Sequence, residues 1–150
     1  MDPETAPPAG KRLAELVEIM ARLRDPRTGC EWDRAQTFET IAPYTIEEAY
    51  EVDDAIRRGD MAALKDELGD LQLQVVYHAR MAEERGDFDV GDVIAGIAAK
   101  MVRRHPHIFG DAAESPGGEA LKPAERDRHE DKSALAHVAH ALPALKRAEK

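Results

Sequence analysis

The feature that most constrains the fold is a pair of long helical patterns joined by only two turn residues. The first pattern covers residues 43–58, opens with a proline suited to a first helical turn, and stops at Gly59. Asp60 can cap a second helix over residues 61–85. One face of this second helix is apolar and comprises Leu64, Leu68, Leu71, Val75 and Ala79. So short a connection predicts that the two helices pack antiparallel.

Two further helices flank this hairpin in the sequence. Apolar residues recur at three- and four-residue spacing over residues 11–24, namely Leu13, Leu16, Val17, Met20 and Leu23. Asp89 can cap a helix over residues 90–104, which Pro106 would stop. No run of alternating β-branched residues predicts a strand. We therefore expect an all-α protein, an antiparallel bundle of about four main helices.

The 150 residues suit one domain with a tail. Residues 1–10 are proline-rich, and we expect them to be disordered. Residues 11–111 carry the helical patterns and form the predicted domain. Residues 112–150 begin with a polar segment rich in glycine and proline, so we expect a linker and a tail that is partly helical or disordered.

Composition excludes several classes of function. The net charge of −9 argues against binding to nucleic acid polymers or to anionic membranes. Cys30 is the single cysteine, which excludes an intramolecular disulfide and a cysteine-rich zinc site. No apolar stretch approaches the roughly 20 residues that span a bilayer, and the N-terminus lacks a signal-peptide pattern. We expect a soluble cytoplasmic protein.

The hairpin carries an unusual concentration of acidic residues, five of them within residues 47–54. Glu48 and Glu51 are three residues apart, as are Glu67 and Asp70, so each pair shares one helix face. Glu51 and Glu67 lie at similar distances from the turn on either side. In an antiparallel hairpin the two pairs therefore converge.

Four converging carboxylates would repel each other unless a divalent cation binds between them. Oxygen ligands select a hard ion, which favours Mg²⁺, with Mn²⁺ as a substitute, and magnesium often shares its ligand sphere with substrate phosphates. The alternative interpretation is a solvated acidic helix face. A di-iron carboxylate site is a weak alternative, since no histidine lies three residues after a glutamate.

Four segments together resemble the MazG family of nucleoside triphosphate pyrophosphohydrolases, over about residues 13–111. They are Glu47-Glu48-Ala49-Tyr50-Glu51, Glu67-Leu68-Gly69-Asp70, the "GCEWD" loop and "KMVRRHPHIFGD". The resemblance implies Mg²⁺-dependent hydrolysis of a nucleoside triphosphate to a monophosphate and pyrophosphate. It also implies that Glu48, Glu51, Glu67 and Asp70 hold the metal. Glu47 and Glu48 are the predicted catalytic residues, and Glu47 would orient or deprotonate water, or bind another metal.

A basic segment near residue 100 is a candidate phosphate-binding site. Lys100 and Arg104 lie one helical turn apart and can reach the same phosphate group, and Arg103 lies beside them. A basic helix C-terminus also suits the helix dipole without any ligand. The resemblance favours substrate binding by Lys100, Arg103 and Arg104.

Aromatic residues offer fewer functional candidates. Trp32 can stack on a base or anchor its loop, and Asp33 beside it, with Gln36, can add polar contacts. We assign both Trp32 and Asp33 to substrate binding. We expect the three tyrosines, Tyr44, Tyr50 and Tyr77, to be packing residues with satisfied hydroxyl groups. His78 is expected to be structural, and Cys30 is expected to have no catalytic role.

The predicted helices carry more apolar surface than four short helices can bury. The resemblance implies a homodimer whose subunits share one bundle, with a tetramer as a further assembly, and sites near the interface. The domain is similar to the first domain of two-domain members of that family. Cleaning of the nucleotide pool is the expected role. The alternatives are a narrower dCTP, dUTP or phosphoribosyl-ATP pyrophosphohydrolase and a non-catalytic nucleotide-binding regulatory domain.

Overall fold

The computed structural model describes residues 7–110, and these residues form α-helices with no strand among them. The chain divides after Ala95 into two units, which are described separately. The helices are α1 (Ala9–Leu23), α2 (Glu31–Ala35), α3 (Phe38–Arg58), α4 (Met61–Glu84), α5 (Val90–Arg104) and α6 (Pro106–Phe109). The all-α prediction is confirmed, with α1, α3, α4 and α5 as the main helices.

The hairpin of α3 and α4 is the centre of the first unit. Gly59 ends α3 in the left-handed region, at a φ of 65°, which glycine adopts without the strain that a side chain would add. The Asp60 side chain then accepts a hydrogen bond from the amide of Ala63, 2.9 Å away, and caps α4. The predicted turn is therefore confirmed, and the two helices pack antiparallel against each other.

The core of the first unit forms where α1 and α3 pack on the C-terminal half of α4. Its buried side chains are Met20, Ile41, Val76, Tyr77 and Met81. Half-buried side chains pack against them, including Leu13, Leu16 and Val17 from the predicted stripe of α1. The apolar periodicity of α1 thus identified its buried face correctly.

The predicted start of the first hairpin helix at Pro43 is wrong. α3 begins five residues earlier, at Phe38, because Thr37 and Thr40 cap it reciprocally. The Thr40 amide donates to Thr37 Oγ1 over 3.3 Å, and the Thr37 amide donates to Thr40 Oγ1 over 2.8 Å. Pro43 is consequently the sixth residue of α3, where it lacks the N–H that would bond the carbonyl of Glu39.

Two short helices were not predicted. α2 has five residues and α6 has four, which is too short for apolar periodicity to indicate a helix. Pro106 lies in the first turn of α6 in addition to following α5. α1 also begins at Ala9, so residues 9 and 10 of the segment expected to be disordered are helical. Residues 1–6 and the predicted tail lie outside the described residues.

The prediction that α5 starts after an Asp89 cap is confirmed. Asp89 Oδ1 accepts a hydrogen bond from the Asp92 amide at 2.9 Å, and Asp92 Oδ2 accepts one from the Asp89 amide at 3.0 Å. Among residues 7–110, no helix is long and apolar enough to cross a membrane.

Candidate functional site

Three carboxylates from the two hairpin helices meet at one point. Glu48 comes from α3, and Glu67 and Asp70 come from α4. One oxygen of each lies within 4.8 Å of the oxygens of the other two. This spacing suits three oxygen ligands around one cation.

Two oxygens of this acidic cluster (Glu48, Glu67 and Asp70) are buried without a hydrogen-bond donor. They are Oε2 of Glu48 and Oε2 of Glu67. Removing a carboxylate oxygen from water without pairing it is energetically unfavourable. A cation between the helices would pair both oxygens, so the residues present fit a bound divalent metal.

The electrostatics of the cluster extend to its two neighbours on α3. Burial raises the pKa of Glu48, and the nearby charges of Asp70, Glu51 and Glu47 raise it further. Burial also raises the pKa of Glu67, followed by a hydrogen bond with Glu51 and by the charges of Glu51, Asp70 and Glu48. Glu51 therefore belongs to the edge of the cluster, and the charges of Glu51, Asp70 and Glu48 all act on Glu67.

The other acidic residues of the 47–54 segment have partners of their own. Asp53 accepts a hydrogen bond from Arg57 Nε at 2.7 Å, and Asp54 accepts one from Arg58 Nε at 2.9 Å. Both are exposed ion pairs one helical turn apart, which contribute little to stability. The acidic residues of this segment thus divide into glutamates at or beside the acidic cluster and two aspartates, Asp53 and Asp54, that are exposed to solvent.

Trp32 and Asp33 lie on α2, which hydrogen bonds from Arg24 and Tyr77 attach to the rest of the first unit. Arg24 donates to the backbone oxygens of Asp33, at 2.6 Å, and Gln36, at 3.2 Å. The Tyr77 hydroxyl donates to the Asp33 backbone oxygen at 2.9 Å, with Asp33 Oδ1 at 3.2 Å. Burial and the charge of Asp33 raise the pKa of Tyr77 to about 12.

Trp32 remains 53% exposed and contacts Tyr44 edge to face, with ring centroids 6.3 Å apart. The expectation of a packed, satisfied tyrosine is confirmed for Tyr77. It is wrong for Tyr44 and Tyr50, which are 44% and 57% exposed within the described chain.

A polar group between α3 and α4 was missed by the sequence interpretation. Thr45 Oγ1 lies 3.0 Å from Gln74 Oε1 and 2.9 Å from His78 Nε2. The His78 ring stacks on Phe38, with centroids 5.9 Å apart. His78 thus has structural contacts, as expected. Thr45 and Gln74 are 29 positions apart, so no local sequence pattern indicated their contact.

The basic residues lie in the second unit, on the C-terminal half of α5. Lys100 and Arg104 are half-buried and Arg103 is exposed. Both arginines make interactions within the protein. Beside them, His105 Nδ1 lies 2.7 Å from the carbonyl oxygen of Met101 and closes the end of the helix. The role of these cations in binding phosphate stays a prediction.

Comparison with known proteins identifies the family. The sequence profile of the MazG nucleotide pyrophosphohydrolase domain matches residues 36–109. The nucleoside triphosphate pyrophosphohydrolase of Escherichia coli (strain K12) is 50% identical over 145 residues, which are 93% of this chain and 55% of that protein. The chain belongs to the MazG family. The resemblance inferred from the sequence motifs is therefore confirmed.

Other MazG proteins agree with this assignment. The nucleoside triphosphate pyrophosphohydrolase/pyrophosphatase MazG of Thermotoga maritima is 46% identical over 147 residues, covering 95% of this chain and 56% of that one. The crystal structure of a MazG-related protein from Thermotoga maritima superimposes with a TM-score of 0.58 at 29% identity, covering 79% of this chain and 99% of that chain. This chain spans about half the length of the curated MazG relatives it matches. The profile includes the acidic cluster and the basic segment, whereas Trp32 and Asp33 precede it.

Proposed function

We propose that this MazG domain hydrolyses nucleoside triphosphates to nucleoside monophosphates and pyrophosphate. The observation that carries the proposal is the acidic cluster, with two buried carboxylate oxygens that lack a hydrogen-bond partner. The names of the MazG relatives from Escherichia coli and Thermotoga maritima support the reaction class.

The proposed metal is Mg²⁺, with Mn²⁺ as a substitute, held by Glu48, Glu51, Glu67 and Asp70. An all-oxygen ligand set supports a hard cation, and the pKa values of Glu48 and Glu67 are raised by burial and then by neighbouring negative charge that a cation would offset. Bound there, a divalent cation would neutralise phosphate charge and polarise the phosphoryl group under attack.

The protein's own side chains would supply the remaining functions. Glu47, which is exposed beside Glu48, would accept a proton from the attacking water, with Glu48 adjoining it. Lys100, Arg103 and Arg104 would neutralise the departing pyrophosphate. The exposed face of Trp32 would stack on the base, which suits substrates with different bases, and Asp33 would contact the substrate nearby.

We also propose a homodimer, with a tetramer as the larger assembly. Apolar side chains that no described residue covers support it, and on α3 and α4 they include Ile46, Tyr50, Leu68 and Val75. We propose a cytoplasmic location, and the net charge of −9 disfavours nucleic acid polymers and anionic membranes as partners.

The decisive experiment incubates the purified protein with Mg²⁺ and a panel of NTPs and dNTPs, and measures pyrophosphate and orthophosphate separately. We expect stoichiometric monophosphate and pyrophosphate, and no product when EDTA removes the metal. A broad profile that includes non-canonical nucleotides would support a role in cleaning the nucleotide pool. Activity confined to dCTP, dUTP or phosphoribosyl-ATP would establish the narrower enzyme instead.

Two results would contradict the proposal. Release of orthophosphate alone would exclude cleavage between the α- and β-phosphates. Nucleotide binding by calorimetry, with no product in the presence of Mg²⁺, would favour a non-catalytic regulatory domain.

A further inference from the structure

Thr45, Gln74 and His78 form a hydrogen-bonded bridge between α3 and α4, here termed the polar bridge. Gln74 is 7% exposed, and the other two side chains are half-buried. The Thr45 hydroxyl donates to Gln74 Oε1 at 3.0 Å. The Nε2–H tautomer of His78 can then donate to Thr45 Oγ1 at 2.9 Å, so each of the three groups has a partner.

The surroundings of His78 hold the bridge in one arrangement. Its ring lies parallel to that of Phe38, within 5°. Burial lowers the pKa of His78, which keeps the ring neutral near pH 7. In the Nε2–H tautomer, a neutral ring held parallel to Phe38 donates to Thr45 in this one geometry.

The polar bridge lies one helical turn from the acidic cluster. Thr45 precedes Glu48 by three residues, and Gln74 follows Asp70 by four. At a rise of about 1.5 Å per residue, these separations correspond to roughly 4.5–6 Å along the helices. Thr45 lies 14 residues before Gly59 and Gln74 lies 14 residues after Asp60, so both are at the same level of the hairpin.

The acidic cluster opposes the packing that the polar bridge stabilises. The fully buried residues of α3 are Ile41 and Ala55, which lie seven residues to either side of Glu48. Repulsion between the carboxylates would separate or shift the helices between these two contacts. A shift of one turn, about 5.4 Å, would break both bonds to Thr45 and leave the Gln74 amide buried without its partner.

We propose that the polar bridge sets the register and spacing of α3 and α4 at the acidic cluster, and that Thr45, Gln74 and His78 are positioning residues for metal binding. They act through Glu48, Glu67 and Asp70. This inference rests on the metal site in the proposed function, which it deepens.

The test is calorimetric titration of the full chain with MnCl₂, with circular dichroism of each variant to confirm native helix content. Thr45→Val keeps the shape of the side chain and removes the hydroxyl. His78→Phe keeps a ring against Phe38 and removes the donor, and it serves if Thr45→Val fails to fold. We expect either change to weaken Mn²⁺ binding about 10–100-fold, as loss of a group that orients metal ligands does.

Two matched variants are controls. Thr45→Ser retains the hydroxyl, so this variant should bind Mn²⁺ with an affinity within about twofold of wild type. Gln72→Leu changes an exposed residue of α4 and should also bind Mn²⁺ within about twofold of wild type. Gln74→Leu, the same change inside the polar bridge, should weaken binding as Thr45→Val does. A purely structural role would lower the thermal midpoint but leave the Mn²⁺ affinity of the folded protein unchanged.

The possible results separate the two proposals. If wild type binds Mn²⁺ and the folded Thr45→Val and His78→Phe variants bind it equally well, the positioning role is wrong and the proposed function stands. If wild type binds no Mn²⁺, the metal site and the positioning role are both wrong.

Discussion

Glu67 opposes folding when it is ionised in the metal-free protein, because Glu48, Glu51 and Asp70 lie around it. Glu67→Gln removes the charge at nearly constant shape, so we expect a higher thermal midpoint than wild type at pH 7 in EDTA. The folded pKa of Glu67 is raised, so wild type regains stability as the pH falls through that pKa towards the ordinary glutamate range. The advantage of the variant should therefore shrink in unfolding curves measured from pH 8 to pH 4.

Asp66→Asn is the control for this prediction, since it removes one charge from an exposed position next to Glu67. It should change the midpoint little at any pH in this range. Saturating Mg²⁺ should reverse the order of wild type and Glu67→Gln, because the ion stabilises the folded protein in proportion to its affinity. A variant less stable than wild type in EDTA at pH 7 would show that the cluster is not repulsive.

Glu48 and Asp70 can be tested by activity. Glu48→Gln and Asp70→Asn each remove a proposed metal ligand, and we expect the rate of pyrophosphate release to fall about 100-fold or more. Removing a ligand should lower the rate at least as much as removing a group that only orients a ligand. Asp66→Asn should retain activity close to wild type. The measurement is the initial rate at saturating Mg²⁺, and a wild-type rate in either ligand variant would exclude that residue from the site.

Tyr77 is a structural residue by its contacts, and Tyr77→Phe tests this. The variant loses the hydrogen bonds to Asp33, so we expect about 1 kcal/mol lower free energy of unfolding in urea. Tyr50→Phe, at an exposed tyrosine, is the control and should be nearly neutral. Equal effects of the two changes would mean that the hydroxyl of Tyr77 does not attach α2 to α4.

At the scale of the helices, the same substitution should have opposite effects at two glycines. Gly59 ends α3 at a φ of 65°, so Gly59→Ala introduces strain and should cost about 1 kcal/mol. Gly69 lies inside α4 with open space around an added Cβ, so Gly69→Ala should add about 0.5–1 kcal/mol. Urea unfolding of the metal-free proteins measures both, and a Gly59→Ala variant at least as stable as wild type would contradict the assigned turn.

The hairpin was predictable because its signals are local. Gly59 and Asp60 mark the turn, and the i, i+3 spacing of the acids follows from helix geometry alone. The start of α3 was not predictable in this way. Pro43 is a strong local signal for a helix start, but the reciprocal hydrogen bonds of Thr37 and Thr40 begin the helix five residues earlier.

Long-range contacts explain what the sequence could not show. α2 is only five residues long, and its attachment depends on Arg24 and on Tyr77, which is 44 residues away from Asp33. The polar bridge joins residues 29 and 33 positions apart, each of which is unremarkable in its own helix. Polar residues of this kind become informative only when the packing of the helices is known.

At the scale of the whole molecule, the exposed apolar residues of α3 and α4 predict self-association. Leu68 is 48% exposed on α4, and Leu68→Lys places a charge on the proposed dimer face. We expect light scattering to give a dimer or larger species for wild type and a smaller species for the variant. Ile19→Lys, the same kind of change on α1, is the control, and dissociation by both variants or by neither would contradict the proposed face.

The two-residue turn also has a consequence for how the molecule folds. All proposed metal ligands lie within residues 48–70, so the site closes a short loop and has low contact order. It needs α3 and α4 alone, and a cation could bind before α1 docks on the core. Metal would then change the folding rate as well as the unfolding rate, and refolding kinetics with and without Mn²⁺ would reveal whether the hairpin is present in the transition state.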